Sequence, residues 1–285
     1  MYLIEWLTSE GFEFDVITDW ELHSEGVGAL EGHAVVITGA HPEYYSAQML
    51  DGLEAYRDAG GRLMYLGGNG FYWVTGVVTE EPLTVEIKRG FAGVTEWKSL
   101  PGESYLTSTS ERGGLWRFRG RAPQRLVGIG MAAQGWGSSS PFYREPGSHD
   151  PEVDWIFAGI GDEPIGDHGR VMGGAAGDEI DRIDYALGTP PGAVLLASSR
   201  GHDRRYQRVM EEVAYILPDK HGGDVDPDVR GDIVYFKLPG GGEVFSAGSI
   251  AFSGALLHAH GDNPVARITR NVLTRFMSSP TTTER

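Results

Sequence analysis

His41 and Glu43 flank a proline in the run His41-Pro42-Glu43-Tyr44-Tyr45, directly after an apolar stretch. In extended backbone, residues two apart point the same way. An imidazole and a carboxylate facing one point suit a metal ligand with a neighbouring acid–base group. The plainer alternative is a loop histidine beside a solvated glutamate. Asn69 sits in Gly67-Gly68-Asn69-Gly70, again after an apolar run. Its carboxamide offers a donor and an acceptor to a substrate amide or a developing oxyanion. An asparagine in a glycine-rich turn also simply tolerates left-handed backbone. Phe71-Tyr72-Trp73 follows, suited either to line a small-molecule pocket or to pack as core under a loop. Lys88 is one of four lysines and lies in an alternating strand, where a solvated face is the ordinary reading. Glu179 stands in the acidic run Asp178-Glu179-Ile180-Asp181, where a carboxylate is usually solvated. No Ser-His-Asp arrangement, phosphate loop or dinucleotide fingerprint occurs in a suitable context.

The elements around these residues follow from periodicity. Ala34 to Thr38 is apolar and β-branched, and predicts a buried strand. Ser46 is an N-cap for a helix ending near Ala59, with Met49, Leu50, Leu53 and Tyr56 on one face and Gly60-Gly61 as the stop. Leu63 to Leu66 predicts a second buried strand. Strand, helix and strand with short connections form a βαβ unit with parallel strands. His41, Glu43 and Asn69 then lie at carboxyl ends, where open α/β sheets place their crevices. If the two strands are neighbours, roughly 4.8 Å apart, the three side chains converge.

Elsewhere the pattern is mixed. Leu3, Ile4 and Leu7 share a helical face that Gly11 ends, and Phe14 to Thr18 predicts a strand. The chain therefore opens on a helix whose preceding strand is missing. Either it is the C-terminal part of a longer architecture, or it is an α/β domain that starts with a helix. Residues 77–160 predict a β-rich insertion. Within it, Thr84 to Arg89 and Leu115 to Arg119 read as hairpin strands, Leu126 to Phe142 as an extended surface loop, and Asp154 to Phe157 as a short strand. Gly159 to Gly177 reads as loop. Ala193 to Ser198, Asp232 to Leu238 and Glu243 to Ser246 predict strands, the last two about Gly240-Gly241-Gly242. Tyr206 to Ile216 fits either helix or strand. A final helix begins at Asn263-Pro264, with Val265, Ile268, Val272, Leu273 and Phe276 on its apolar face. The expected organisation is one domain over residues 1–278 and a disordered tail over 279–285.

The bulk numbers narrow the class. With 285 residues and 40% hydrophobic content the chain can bury a sizeable core. A net charge of −16 disfavours nucleic acid and anionic membrane surfaces as partners. The absence of cysteine excludes disulfides, thiolate metal sites and a cysteine nucleophile. No apolar run is long enough to span a membrane. The N-terminus lacks a basic region followed by an apolar core, which predicts a cytoplasmic protein.

Several blocks resemble the C-terminal part of the N,N-dimethylformamidase large subunit. They are Tyr2 to Leu7, Phe14 to Asp19, Val36 to Tyr44, Arg62 to Trp73, Val244 to Ile250 and Arg267 to Leu273. The resemblance implies a mostly parallel sheet flanked by helices, flavodoxin-like and similar to class I glutamine amidotransferases. It implies hydrolysis of a small N-alkyl amide to an amine and a carboxylate, with a mononuclear iron held by two tyrosines and one glutamate. The glutamate ligand falls on Glu43, the pocket histidine on His41 and the pocket asparagine on Asn69. The family's lysine falls on Lys88 with a one-residue offset, and its candidate base falls on Glu179. Phe71, Tyr72 and Trp73 become an apolar wall for N-methyl groups. The two tyrosine ligands match family positions upstream of Met1, so the iron site is incomplete in this chain alone. An upstream segment or a small subunit, in a homo- or hetero-oligomer, is the implied partner. The alternative is a non-catalytic amidotransferase-like module that binds a small molecule or a subunit.

Overall fold

The computed structural model describes residues 1–80, 83–90, 103–213 and 219–278. Helix α1 (Tyr2–Glu10) stops at Gly11, whose φ of 76° makes the left-handed cap. Helix α2 (Asp19–Glu25) opens on a capping box between Thr18 and Glu21. Strands β1 (Val36–Ile37) and β2 (Tyr44–Tyr45) lead to helix α3 (Ala47–Asp58). Strands β3 (Arg62–Gly67), β4 (Trp73–Val78) and β5 (Thr84–Ile87) follow. Helix α4 (Pro123–Val127), β6 (Gly130–Ser140) and β7 (Phe142–Arg144) come next. The order closes with β8 (Ala176–Arg182), β9 (Val194–Ser199), β10 (Gln207–Arg208), β11 (Asp232–Lys237), β12 (Glu243–Gly248) and α5 (Pro264–Ser278).

The main sheet has six strands in the order β1-β3-β12-β11-β9-β7. Its β1-β3 and β3-β12 pairs are parallel, as the βαβ reading requires. The β12-β11, β11-β9 and β9-β7 pairs are antiparallel. Beside it stand an antiparallel sheet, β10-β6-β8, and a small mixed one, β2-β4-β5. The mostly parallel, flavodoxin-like, amidotransferase-like architecture is thus overturned: the protein is mixed α/β with mixed and antiparallel sheets. The reason is local. The Gly240-Gly241-Gly242 turn folds β12 straight back on β11, and a tight hairpin makes an antiparallel pair.

The main sheet is covered on both faces, so its central strands β3, β12 and β11 are buried at all but their end positions. Side chains alternate: Leu63 and Tyr65 join Met49, Leu50 and Leu53 of α3, while Met64 and Leu66 join Trp6 and Leu7 of α1. On the α1 side, Val265, Ile268, Val272, Leu273 and Phe276 of α5 are all buried, as the periodicity predicts. Ser46 caps α3 by accepting the Met49 N–H at 3.2 Å, and its hydroxyl lies 2.8 Å from His23 Nδ1. Replacing Ser46 by Ala is expected to cost about 1 kcal/mol, read as a lower urea midpoint at unchanged slope.

Other sequence expectations are corrected. Phe14 to Thr18 forms no strand, and Phe14, Val16 and Ile17 are exposed. With Leu7, Phe12 and Ile37 these residues line a cavity of about 470 Å³ beside β1. β1 ends the main sheet, so its apolar surroundings stay partly open. Leu126 to Phe142 is no surface loop, because β6 runs through it for 11 residues between β8 and β10. Its glycines and serines pack closely: a Cβ at Gly135 would come 2.6 Å from the Tyr206 Cα. Trp116–Arg119 and Asp154–Phe157 are 3₁₀ turns, not strands. Thr84 to Arg89 does hold β5, paired antiparallel with β4. Tyr206 to Ile216 holds the short β10 and a 3₁₀ turn, Met210–Glu212; residues 214–218 lie outside the described residues, as does the tail over 279–285.

Candidate functional site

The site is built where β1 and β3 end. The Gly68 N–H donates to the Ala40 carbonyl at 3.2 Å and ties the two strand ends together. Gly67 and Gly68 are required by close approach: a Cβ on the first would lie 2.4 Å from the Ala40 oxygen, and on the second 2.2 Å from the Glu179 oxygen. The turn then reverses through Asn69 and Phe71, at φ of 51° and 56°. Its returning amides hold the other segment. Phe71 N–H donates to the Pro42 carbonyl at 2.8 Å, and Tyr72 and Trp73 donate to that of Glu43 at 3.0 and 3.1 Å. The third contributor is β8, whose Glu179 carbonyl accepts the Ile250 N–H at 3.2 Å.

Two side chains meet on one carboxylate oxygen. Glu179 Oε2 lies 2.9 Å from His41 Nε2 and accepts from Asn69 Nδ2 at 2.9 Å. His41 Nε2 is also 3.3 Å from Glu43 Oε2. The other Glu43 oxygen accepts from Trp73 Nε1 at 2.9 Å. The His41 side chain is 40% exposed, so solvent and small molecules reach it. Asn69 Oδ1 is buried and has no hydrogen-bond partner among the described residues. The hydrogen bond to Glu179 raises the His41 pKa, and the charges of Glu179, Glu43 and Asp178 add to this against the opposing effect of burial. Burial raises the Asp178 carboxyl, with Glu179 adding to it.

The raised imidazole pKa has a stability consequence. Its contribution is complete below the ordinary value of 6.5 and is lost as pH rises through the higher folded value. The expected result is a loss of stability above about pH 6.5 that Glu179→Gln weakens; unfolding midpoints across pH 5.5 to 8.5 measure it.

The structure thus brings together His41, Glu43, Asn69 and Glu179. Lys88 is elsewhere: its ammonium is 3.9 Å from Glu86, and no hydrogen bond or ion pair joins it to the other four among the described residues. Phe71 is 1% exposed and packs on Tyr45 and Tyr65 in the core beneath α3. Tyr72 and Trp73 form a separate cluster with Leu115, Met131 and Val209. Trp73 steadies Glu43, and the Tyr72 hydroxyl donates to Glu211. Sequence reading passed over Asp181, which anchors the Asn69 turn. The signal was present, since it stands two residues from Glu179 and shares its strand face.

An imidazole between two carboxylates, with a carboxamide on one of them, marks a mixed α/β protein that gathers titratable side chains at the ends of adjacent strands. The chain belongs to the N,N-dimethylformamidase beta subunit-like, C-terminal family, whose model matches residues 1–263. It is 44% identical over 278 residues to the N,N-dimethylformamidase beta subunit of Paracoccus aminophilus, covering 97% of this chain and 36% of that one. The same comparison with the Alcaligenes sp. N,N-dimethylformamidase beta subunit gives 43% identity over 278 residues, 97% and 36%. The chain therefore spans about a third of the length of these relatives.

The family resemblance implies iron, and the residues present fit it only in part. Glu43 Oε1 is taken by Trp73, and Oε2 points into the site. The described residues contain no group of three or more His, Asp or Glu placed to hold a metal ion. Among the described residues, no helix is long and apolar enough to cross a membrane.

Proposed function

We propose that this chain forms the part of an amide hydrolase that carries its acid–base residues, acting on a small N-alkyl amide. The observation that supports this most is the meeting of His41 and Asn69 on Glu179 Oε2, with Glu43 on the same His41 nitrogen. Glu179 takes the proton of an attacking water. The Asn69 amide group, on the same oxygen, orients that carboxylate and donates toward the oxyanion as it forms. Protonated His41 stabilises negative charge beside it and hands a proton to the departing amine. Tyr72 and Trp73 supply the apolar wall for N-methyl groups, and Lys88 joins only if the loop that carries it moves.

We assign Glu43 as the single ligand this chain contributes to an iron centre. A bound iron would act as a Lewis acid on the amide carbonyl. Its remaining ligands come from a polypeptide region equivalent to the part of the relatives that this chain does not span. That region, or a small subunit, is the proposed partner in a homo- or hetero-oligomer, placed in the cytoplasm.

The test measures bound iron and N,N-dimethylformamide hydrolysis by the chain alone, and again with the remaining region of the Paracoccus aminophilus subunit supplied. Iron binding and turnover on addition, both lost in Glu43→Ala, are expected. Turnover that survives Glu43→Ala refutes the ligand role. No turnover in either preparation favours the second reading, a non-catalytic binding module.

A further inference from the structure

Asp181 is fully buried and stands two residues along β8 from Glu179. Its two oxygens reach one turn. Oδ1 accepts the Asn69 backbone N–H at 2.8 Å, and Oδ2 accepts the Tyr65 hydroxyl at 2.7 Å. The Tyr65 oxygen, itself 0% exposed, accepts the Gly70 N–H at 2.8 Å. One side-chain pair therefore holds both backbone amides that bracket the Asn69 side chain. The backbone it holds is left-handed at Asn69, a conformation that surrounding contacts must impose on a residue with a Cβ. Alternate residues of a strand share a face, so β8 presents Glu179 and Asp181 as one edge. Glu179 meets the Asn69 carboxamide, and Asp181 meets its backbone. The carboxylate and the group that orients it are thereby referenced to the same strand.

We propose that Asp181, through Tyr65, is a positioning residue that locks the Asn69 turn so that the carboxamide stays on Glu179. This rests on the reading of Asn69 and Glu179 as site residues. Burial pushes the Asp181 carboxyl up to about 7, against the lowering effect of the Asn69 N–H and the Tyr65 hydroxyl. On protonation Oδ1 still accepts the Asn69 N–H as a carbonyl oxygen, and Oδ2 becomes a hydroxyl that donates to the Tyr65 oxygen.

The test compares Asp181→Ala, Asp181→Asn and Tyr65→Phe in the full chain, labelled with ¹⁵N. The side-chain amide signals of Asn69 are identified by their loss in Asn69→Asp. In Asp181→Ala these signals move to those of a free asparagine, and the Asn69 N–H exchanges about 10- to 100-fold faster. Asp181→Asn keeps an acceptor for the Asn69 N–H and gives the Tyr65 oxygen a donor in place of an acceptor, and so restores the signals and the Asn69 N–H protection. Tyr65→Phe speeds exchange at Gly70. In the active assembly, Asp181→Ala lowers kcat about 100-fold with KM nearly unchanged, and Asp181→Asn recovers most of it. A purely structural role would lower thermal stability and leave the Asn69 side-chain signals in place; that result overturns the proposal. If Asp181→Ala does not fold, unmoved Gly70 exchange in Tyr65→Phe overturns it equally. If the wild-type assembly hydrolyses no amide, the functional reading fails while the Asn69 signals still decide the role of Asp181.

Discussion

Glu179→Gln is expected to lower kcat for amide hydrolysis about 10³-fold, a loss of about 4 kcal/mol of transition-state stabilisation. The substitution is nearly isosteric. The carboxamide oxygen that it introduces still accepts from Asn69 Nδ2 and from His41 Nε2, which donate to that position in the wild type. What the variant lacks is the charge and the ability to take a proton. The His41 pKa then falls, because its largest raising influence is the hydrogen bond to Glu179. Two measurements separate these effects. Steady-state kinetics of the assembled preparation read the lost base, and an NMR titration of His41 in the chain alone reads the lost partner. Wild-type kcat in the variant would remove Glu179 from the mechanism. An unmoved His41 titration would remove the ion pair.

A single methyl group at Gly68 is expected to damage both stability and rate. Its Cβ would lie 2.2 Å from the Glu179 oxygen and 3.0 Å from the Ile250 N. Both are backbone atoms, and the Glu179 carbonyl also accepts the Ile250 N–H, so neither can swing aside as a side chain would. β8 must move away from the end of β3. Overpacking of this kind costs about 1–3 kcal/mol. A displacement of Glu179 by about 1 Å lowers kcat/KM by about 10²-fold. Gly28→Ala is the control, since nothing lies within 4 Å of a Cβ there. Urea midpoints and kinetics of the two variants test the contrast. Equal stability for Gly68→Ala and wild type would mean that β8 is not pressed against the turn.

The βαβ unit was legible because every local signal agreed. A strand-length apolar run, Ser46 as cap, one apolar helix face and glycines as the stop leave one arrangement of chain. The final helix was legible for the same reason, and all five of its predicted facing residues are buried. Failures came where one pattern serves two structures. Apolar runs such as Leu63 to Leu66 and Ile233 to Phe236 report burial on both faces and not strand direction. A buried antiparallel strand inside a mixed sheet reads the same as a parallel one. The glycines and serines of β6 resemble loop composition, yet they are small because neighbouring backbone comes close. Phe14 to Thr18 has strand composition but gains no strand partner, so Phe14, Val16 and Ile17 stay exposed.

Residue order by itself determined that His41, Glu43 and Asn69 stand at the carboxyl ends of two parallel strands, because the helix between those strands permits little else; the structure made the two strands neighbours. Only the tertiary structure decided that Glu179 joins them, from β8 in a different sheet and 110 positions from Asn69. It also decided that Lys88 turns to Glu86 and that Phe71 is core. Short spacings act through backbone geometry, which a sequence pattern reports directly. A contact across two sheets depends on how whole layers pack, and no local pattern carries that information.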